Sequence, residues 1–125
     1  MLNSPGFIAV DRQYNKYITD CANNVIRKVS YSTGIINTVV GNHNLAHLIH
    51  YPTYWGGYSR DGGLAINAEL NCPAGIALDD SSNIYFTDKC NNVVRKVDNS
   101  SGIINNSCWQ WVWSRQLLSG NYSRV

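Results

Sequence analysis

The residues with the clearest capacity for chemistry are His43, His47 and His50, four and three positions apart in the stretch from His43 to Trp55. On a helix this spacing would bring all three imidazoles to one face. They would then hold zinc, with the fourth position left to water or to a carboxylate such as Asp61. The spacing matches no closed zinc motif, and Asn42 and Asn44 leave no single helix start. Solvated loop histidines are therefore the expectation, and no metal, cofactor or catalytic residue is assigned.

Acid–base chemistry would have to come from Asp20 and Asp88. They open the turns Asp-Cys-Ala-Asn-Asn and Asp-Lys-Cys-Asn-Asn, and Arg27 or Arg95 follows each seven residues on. A carboxylate that opens a turn accepts backbone amide bonds and pairs with an arginine fork on the neighbouring strand. A catalytic residue is needed once per site, whereas this arrangement occurs twice, so it reads as scaffold. No Ser-His-Asp, paired-carboxylate or nucleotide constellation stands out, and the chain is not expected to be an enzyme.

Residues 57–71 hold Arg60-Asp61-Gly62-Gly63 followed by good helix formers over 64–70. This predicts a tight turn and then one to two turns of helix. A glycine loop before a helix can cradle an anion, but the P-loop lysine and the preceding strand of a nucleotide site are missing. Packing between repeats is the better reading. Cys21, Cys72, Cys90 and Cys108 allow three pairings and contain no Cys-x-x-Cys, which argues against structural zinc. Cys21 and Cys90 fall in corresponding turns, one position out of register. In an oxidising compartment a disulfide is expected, and sequons at Asn99, Asn105 and Asn121 point the same way. A chain with 16 Asn also produces sequons by chance. Trp109, Trp111 and Trp113 alternate with Gln110, Val112 and Ser114, a strand with one aromatic face that must be covered. Packing on the last repeat, stacking on a partner or sugar, and out-of-frame sequence stay open.

The elements that must position these residues follow from a repeat. Residues 5–38 lie on residues 73–106 without a gap, identical at 19 of 34 positions. The shared skeleton reads Pro, Ile-Ala-x-Asp, Asn-x-Tyr-x-Thr-Asp, Asn-Asn-Val-x-Arg-Lys-Val, Ser-x-Gly-Ile-Ile-Asn. In the second copy the apolar runs are 75–78, 84–87, 92–97 and 102–105, separated by Asp, Asn, Ser and Gly turns. Four strands in an antiparallel meander are predicted for residues 5–40 and again for 73–106. The first two runs of the second copy suit strands covered on both faces, and the alternation of Val93, Arg95 and Val97 with Val94 and Lys96 suits one nearer the rim. Such sheets are not stable alone, and stacking them radially makes a β-propeller.

The remaining composition bounds the function. At 125 residues the chain supports one core. Its net charge of +2 is too small to drive nucleic-acid or membrane binding by itself. No apolar run suits a membrane helix, and residues 1–12 lack the basic start and apolar stretch of a signal peptide. As written, the chain reads as soluble, with the compartment open and a cell-surface or extracellular one favoured.

The residues Pro73-Ala-Gly-Ile-Ala-Leu-Asp, Ile84-Tyr-Phe-Thr-Asp, Asn92-Val-Val-Arg-Lys-Val and Gly102-Ile-Ile resemble the NHL repeat, one propeller blade per copy. Residues 57–71 are similar to the glycine-rich connector of the subtype found in bacterial NHL repeat proteins and teneurin receptors. The resemblance covers residues 5–41 and 57–106. It implies blades at 1–41 and 73–106, an interblade connector with a short helix at 42–72, and a divergent tail at 107–125. The expected fold is all-β, two four-stranded blades of an incomplete propeller ring. Such rings close with about six blades, so the chain reads as a fragment that needs further blades or self-association to cover its sheet faces.

By resemblance the function is a protein-interaction scaffold. Two other readings follow from relatives: a fragment of a propeller enzyme of the peptidylglycine amidating lyase type, to which only the three histidines could contribute, and an RNA-binding domain using Arg27, Lys28, Arg95 and Lys96. The low net charge argues against nucleic acid.

Overall fold

The computed structural model describes residues 1–43, 58 and 61–107. Within them the chain is all-β, and its helical pieces are three-residue 3₁₀ turns at Cys21–Asn23, Ala65–Asn67 and Lys89–Asn91. The first sheet is β1 (Pro5–Val10), β2 (Lys16–Asp20), β3 (Val25–Val29) and β4 (Ile36–Val40). The second is β5 (Pro73–Leu78), β6 (Ile84–Asp88), β7 (Val93–Val97) and β8 (Ile104–Asn106). Each is an antiparallel meander in chain order, a blade-like sheet with the limits expected from the repeat.

Identical residues build identical local geometry. A bulge interrupts the first strand pair between Pro5 and Ile8, and again between Pro73 and Ile76. At each bulge a threonine hydroxyl on the next strand accepts an amide of the bulged strand: Phe7 N–H to Thr19 Oγ1 and Gly75 N–H to Thr87 Oγ1, both 2.8 Å. Asn24 and Asn92 close the 3₁₀ turns in the left-handed region, φ 55° in both, a conformation asparagine tolerates better than most residues. Gly34 and Gly102 take φ of 70° and 71° in the third turn of each sheet, where a Cβ would be strained.

The sheets stack with β5 against β1 and β2. Tyr17, Ile26 and Val40 of the first sheet meet Ile84, Phe86, Val97 and Ile104 of the second, with Ala65, Ala68 and Leu70 of the connector completing the core. The buried faces are not equivalent. In β2 the buried alternation falls on Tyr17 and Thr19, whereas in β6 it falls on Ile84 and Phe86, which correspond to Lys16 and Ile18. One sheet therefore buries the face the other leaves open, as successive layers of a stack must.

That geometry corrects the expectation that β5 and β6 are covered on both faces, since Ala77 and Thr87 are exposed, and it leaves a face of β1 open as expected of an end sheet. β1 is not covered on both faces: Phe7, Ile8 and Val10 are 60%, 56% and 52% exposed. Ile76 and Leu78, the counterparts of Ile8 and Val10, pack against the core because the first sheet lies over them, and no described residues form a layer on the corresponding side of β1. The connector helix is also shorter than its composition suggests. Ala65 O and Ala68 O accept Gly41 N–H and Asn42 N–H at 2.9 Å, so carbonyls that a longer helix would use are tied to the end of the first sheet, and Ala68 turns extended at φ −72° and ψ 148°. Among the described residues no helix is long and apolar enough to cross a membrane.

Candidate functional site

The chemistry-bearing side chains gather where the connector crosses the second sheet. Gly62 N–H bonds to Ile104 O, and Ile104 N–H bonds to Gly63 O, so this piece runs as an added edge beside β8. Gly41 N–H and Asn42 N–H in turn reach Ala65 O and Ala68 O, both at 2.9 Å, which joins the end of the first sheet to the same segment.

Arg95 is the centre of this crossing and is fully buried. Its Nη2 donates to Asp61 Oδ1 at 2.9 Å and its Nη1 to Glu69 O at 3.1 Å. Asp88 Oδ2 lies 3.6 Å from Nη1, and the guanidinium sits 4.9 Å over the Tyr58 ring. A buried guanidinium is tolerated only with such partners, because leaving its charge uncompensated costs several kcal/mol. Tyr58 is held in turn by its hydroxyl bond to Asp61 Oδ2 at 3.0 Å and by Asn106 Nδ2. Burial, with the Asp61 carboxylate beside it, pushes the Tyr58 phenol above its ordinary value.

Asp20 and Asp88 do what the turn reading expected of them. Asp20 Oδ1 accepts Asn3 N–H at 2.7 Å and its Oδ2 accepts Asn23 Nδ2 at 2.8 Å. Asp88 accepts Asn71 N–H at 2.7 Å and Asn91 Nδ2 at 2.9 Å. Each carboxylate clamps the incoming chain to its own turn. Burial raises the Asp88 carboxyl above the usual range despite these donors. The expected arginine pairing holds only in the second sheet. Arg27 Nη1 bonds Thr38 Oγ1 at 3.1 Å, and among the described residues no ion pair joins it to Asp20. The difference is the crossing segment: Asp61, Tyr58 and the Glu69 carbonyl fix Arg95, and no described residues occupy that place over Arg27.

The opposite rim is built from Asp11 and Asp79, which sequence reading left as plain turn residues. Asp11 accepts the amides of Gln13 and Asn15, the Asn15 side chain and the Tyr17 hydroxyl. Asp79 accepts the same set from Ser81, Asn83 and Tyr85. Asn15 and Asn83 carry the network onward to Tyr31 N–H and Asn99 N–H. The signal was present as Asp-x-x-x-Asn-x-Tyr, twice.

The seam between the sheets is closed by Cys21 and Cys72, which form a disulfide, and by Asn24 Oδ1, which accepts Cys72 N–H at 2.8 Å. Of the pairings left open this is the one formed, and Cys90 is free and exposed. Cys108 lies outside the described residues, as do Trp109, Trp111 and Trp113. Arg12 meets Asp80 across the rim at 2.8 Å.

No protein-family model and no curated protein matches this chain.

His43 is exposed at the end of the first sheet, at φ 53°. His47 and His50 lie outside the described residues, so the zinc constellation has no geometry to compare. Among the described residues no group of three or more His, Cys, Asp or Glu is placed to hold a metal ion. What distinguishes the two sheets at the Asp11–Asp79 rim is aromatic. Tyr14 and Tyr31 are 66% and 69% exposed with ring centroids 5.5 Å apart, and the second sheet has Ser82 and Asn99 in their places.

Proposed function

We propose that the chain is a two-blade segment of an NHL-type propeller and serves as a non-catalytic protein-interaction scaffold. The exposed Tyr14–Tyr31 pair carries this reading. The carboxylates shared by both blades, Asp11 with Asp79 and Asp20 with Asp88, are engaged in bonds that repeat from blade to blade, which supports a scaffold role for them. The two tyrosines break the repeat, and among the described residues their exposed rings pack on each other. Paired exposed aromatics on a rigid rim supply large contact area at low entropic cost and are typical interface anchors. Arg12, on the same rim, adds a charged neighbour. The Cys21–Cys72 disulfide favours an oxidising compartment, outside the cytosol or at the cell surface.

The test replaces the pair with the residues of the other blade, Tyr14→Ser with Tyr31→Asn. A captured partner is purified and its binding to the wild-type chain is reconstituted from two components. Loss of that binding in the double variant, with an unchanged circular dichroism spectrum, supports the reading. Undiminished binding, or specific binding of single-stranded RNA at physiological salt, overturns it.

A further inference from the structure

The seam inside the molecule pairs two unlike faces, and each has a counterpart at the other end that no sheet among the described residues covers. The first sheet gives Tyr17, Thr19, Asn24 and Ile26; the second gives Cys72, Ile76, Leu78 and Phe86. Shifting by the repeat, the outer face of the second sheet carries Tyr85, Thr87, Asn92 and Val94. The outer face of the first carries Ser4, Ile8, Val10 and Ile18. Thr19 is fully buried where Thr87 is exposed, and Ile76 and Leu78 are half-buried where Ile8 and Val10 lie open.

We propose that the outer face of the second sheet docks the outer face of the first sheet of another copy of this chain, head to tail, repeating the internal seam. Three features make a second copy the occupant. The backbone is already in the seam conformation on both sides: Asn92 has φ 55° like Asn24, and Ser4 has φ 49° against 53° for Cys72. Asn92 is thus placed to accept Ser4 N–H as Asn24 accepts Cys72 N–H. Charge is complementary in the same register. Arg12 faces Asp80 within the chain, and in the second seam Asp80 would face Arg12 of the next copy, again opposite in sign. The apolar positions match those already shown to interdigitate, so continuity with the internal seam supplies the shape.

Two differences set the strength of the contact. Cys21 and Cys72 correspond to Lys89 and Ser4, so no disulfide closes the second seam, and association is reversible. The two faces are unlike, so the contact is heterologous and adds copies in sequence, not as a symmetric pair.

Sedimentation velocity of the full chain across the micromolar range tests this with one variant on each face. The wild-type chain is expected to form dimers and larger species that dissociate on dilution. Ile8→Glu and Thr87→Arg are each expected to be monomeric, since each spoils one face. An equimolar mixture of the two variants should restore a dimer and nothing larger, because each retains one intact face. Near-ultraviolet circular dichroism confirms that both variants are folded. A second measurement is independent of affinity: Ser4→Cys and Lys89→Cys chains, each also carrying Cys90→Ser and Cys108→Ser, are mixed in a glutathione redox buffer. The expected product is the mixed 4–89 disulfide dimer. The proposal is overturned by a wild-type chain that stays monomeric, whether its own residues 108–125 or nothing takes the face. It is equally overturned by a variant mixture that restores no dimer, or by cross-linking that yields only like-to-like dimers.

Discussion

Arg95 Nη2 lies 2.9 Å from Asp61 Oδ1, joining residues 34 apart in sequence, while Arg27, at the same place in the first repeat, donates to Thr38 Oγ1 at 3.1 Å. One sequence motif therefore has two energetic roles. In the second sheet the arginine fastens the connector to β7, and in the first it lies partly open.

The two arginines should differ in cost. Arg95→Ala strips the counter-charge from buried Asp88 and is expected to destabilise by about 3–5 kcal/mol, as breaking a buried pair does. Arg27→Ala removes one hydrogen bond, about 1 kcal/mol. Urea unfolding midpoints of the two variants check this. Equal losses would show that the connector contributes nothing at Arg95.

The Cys21–Cys72 bond closes a loop with a sequence separation of 51, which by chain entropy stabilises the folded state by about 4 kcal/mol. Reduction, or Cys21→Ala with Cys72→Ala, should lower the unfolding midpoint accordingly, while Cys90→Ala leaves it unchanged. Peptide mapping under non-reducing conditions should recover the 21–72 pair, and a 21–90 peptide in its place would refute the seam geometry.

Asn24 and Asn92 share a backbone conformation and differ in what the side chain meets. Glycine keeps the left-handed φ and deletes the amide group, so Asn24→Gly isolates the bond to Cys72 N–H. The expected loss is about 1 kcal/mol, with a smaller one for Asn92→Gly in dilute solution. Equilibrium unfolding of both variants at low concentration decides; a larger cost at Asn92 would contradict the assignment.

Acid should weaken the rim. The Ser100 hydroxyl, with the Ser101 amide and hydroxyl, holds the Asp98 carboxyl down at about 2. The Asn83 side-chain amide leads in lowering Asp79. At Asp11 burial pulls upward, and bonds from Asn15 and Gln13 together outweigh it. Carboxyls lowered by folding contribute stability above their unfolded value of 3.8, and that stability is lost as pH falls through the folded values. Asp88, raised by burial, works in the opposite sense, its contribution declining as pH rises through its folded value. With three lowered groups against one raised, stability should drop as pH falls from 3.8 towards about 2. Asp98→Asn should flatten that drop in a series of thermal melts; an unchanged pH profile would remove Asp98 from the account.

The repeat by itself determined the strands, their order and their turns. Pairing in a meander depends on adjacent residues, and Asp11, Asn24, Gly34 and their counterparts act within a few positions of themselves or on the next strand. The same locality made the Asp20 and Asp88 clamps legible. Tertiary structure decided which of two equivalent residues is buried. Tyr17 and Tyr85, Thr19 and Thr87, Ile18 and Phe86 have the same local geometry, and only the layer stacked on one face separates them. Stacking also chose Cys72 over Cys90 as the partner of Cys21, because it brings the start of β5 to the turn after β2. Arg95 was read with Asp88 and not with Asp61 for the same reason: no periodicity encodes the path by which the connector returns across β8. The histidines at 43, 47 and 50 show the converse, since spacing can suggest a shared face only if a helix forms, and spacing does not supply the helix.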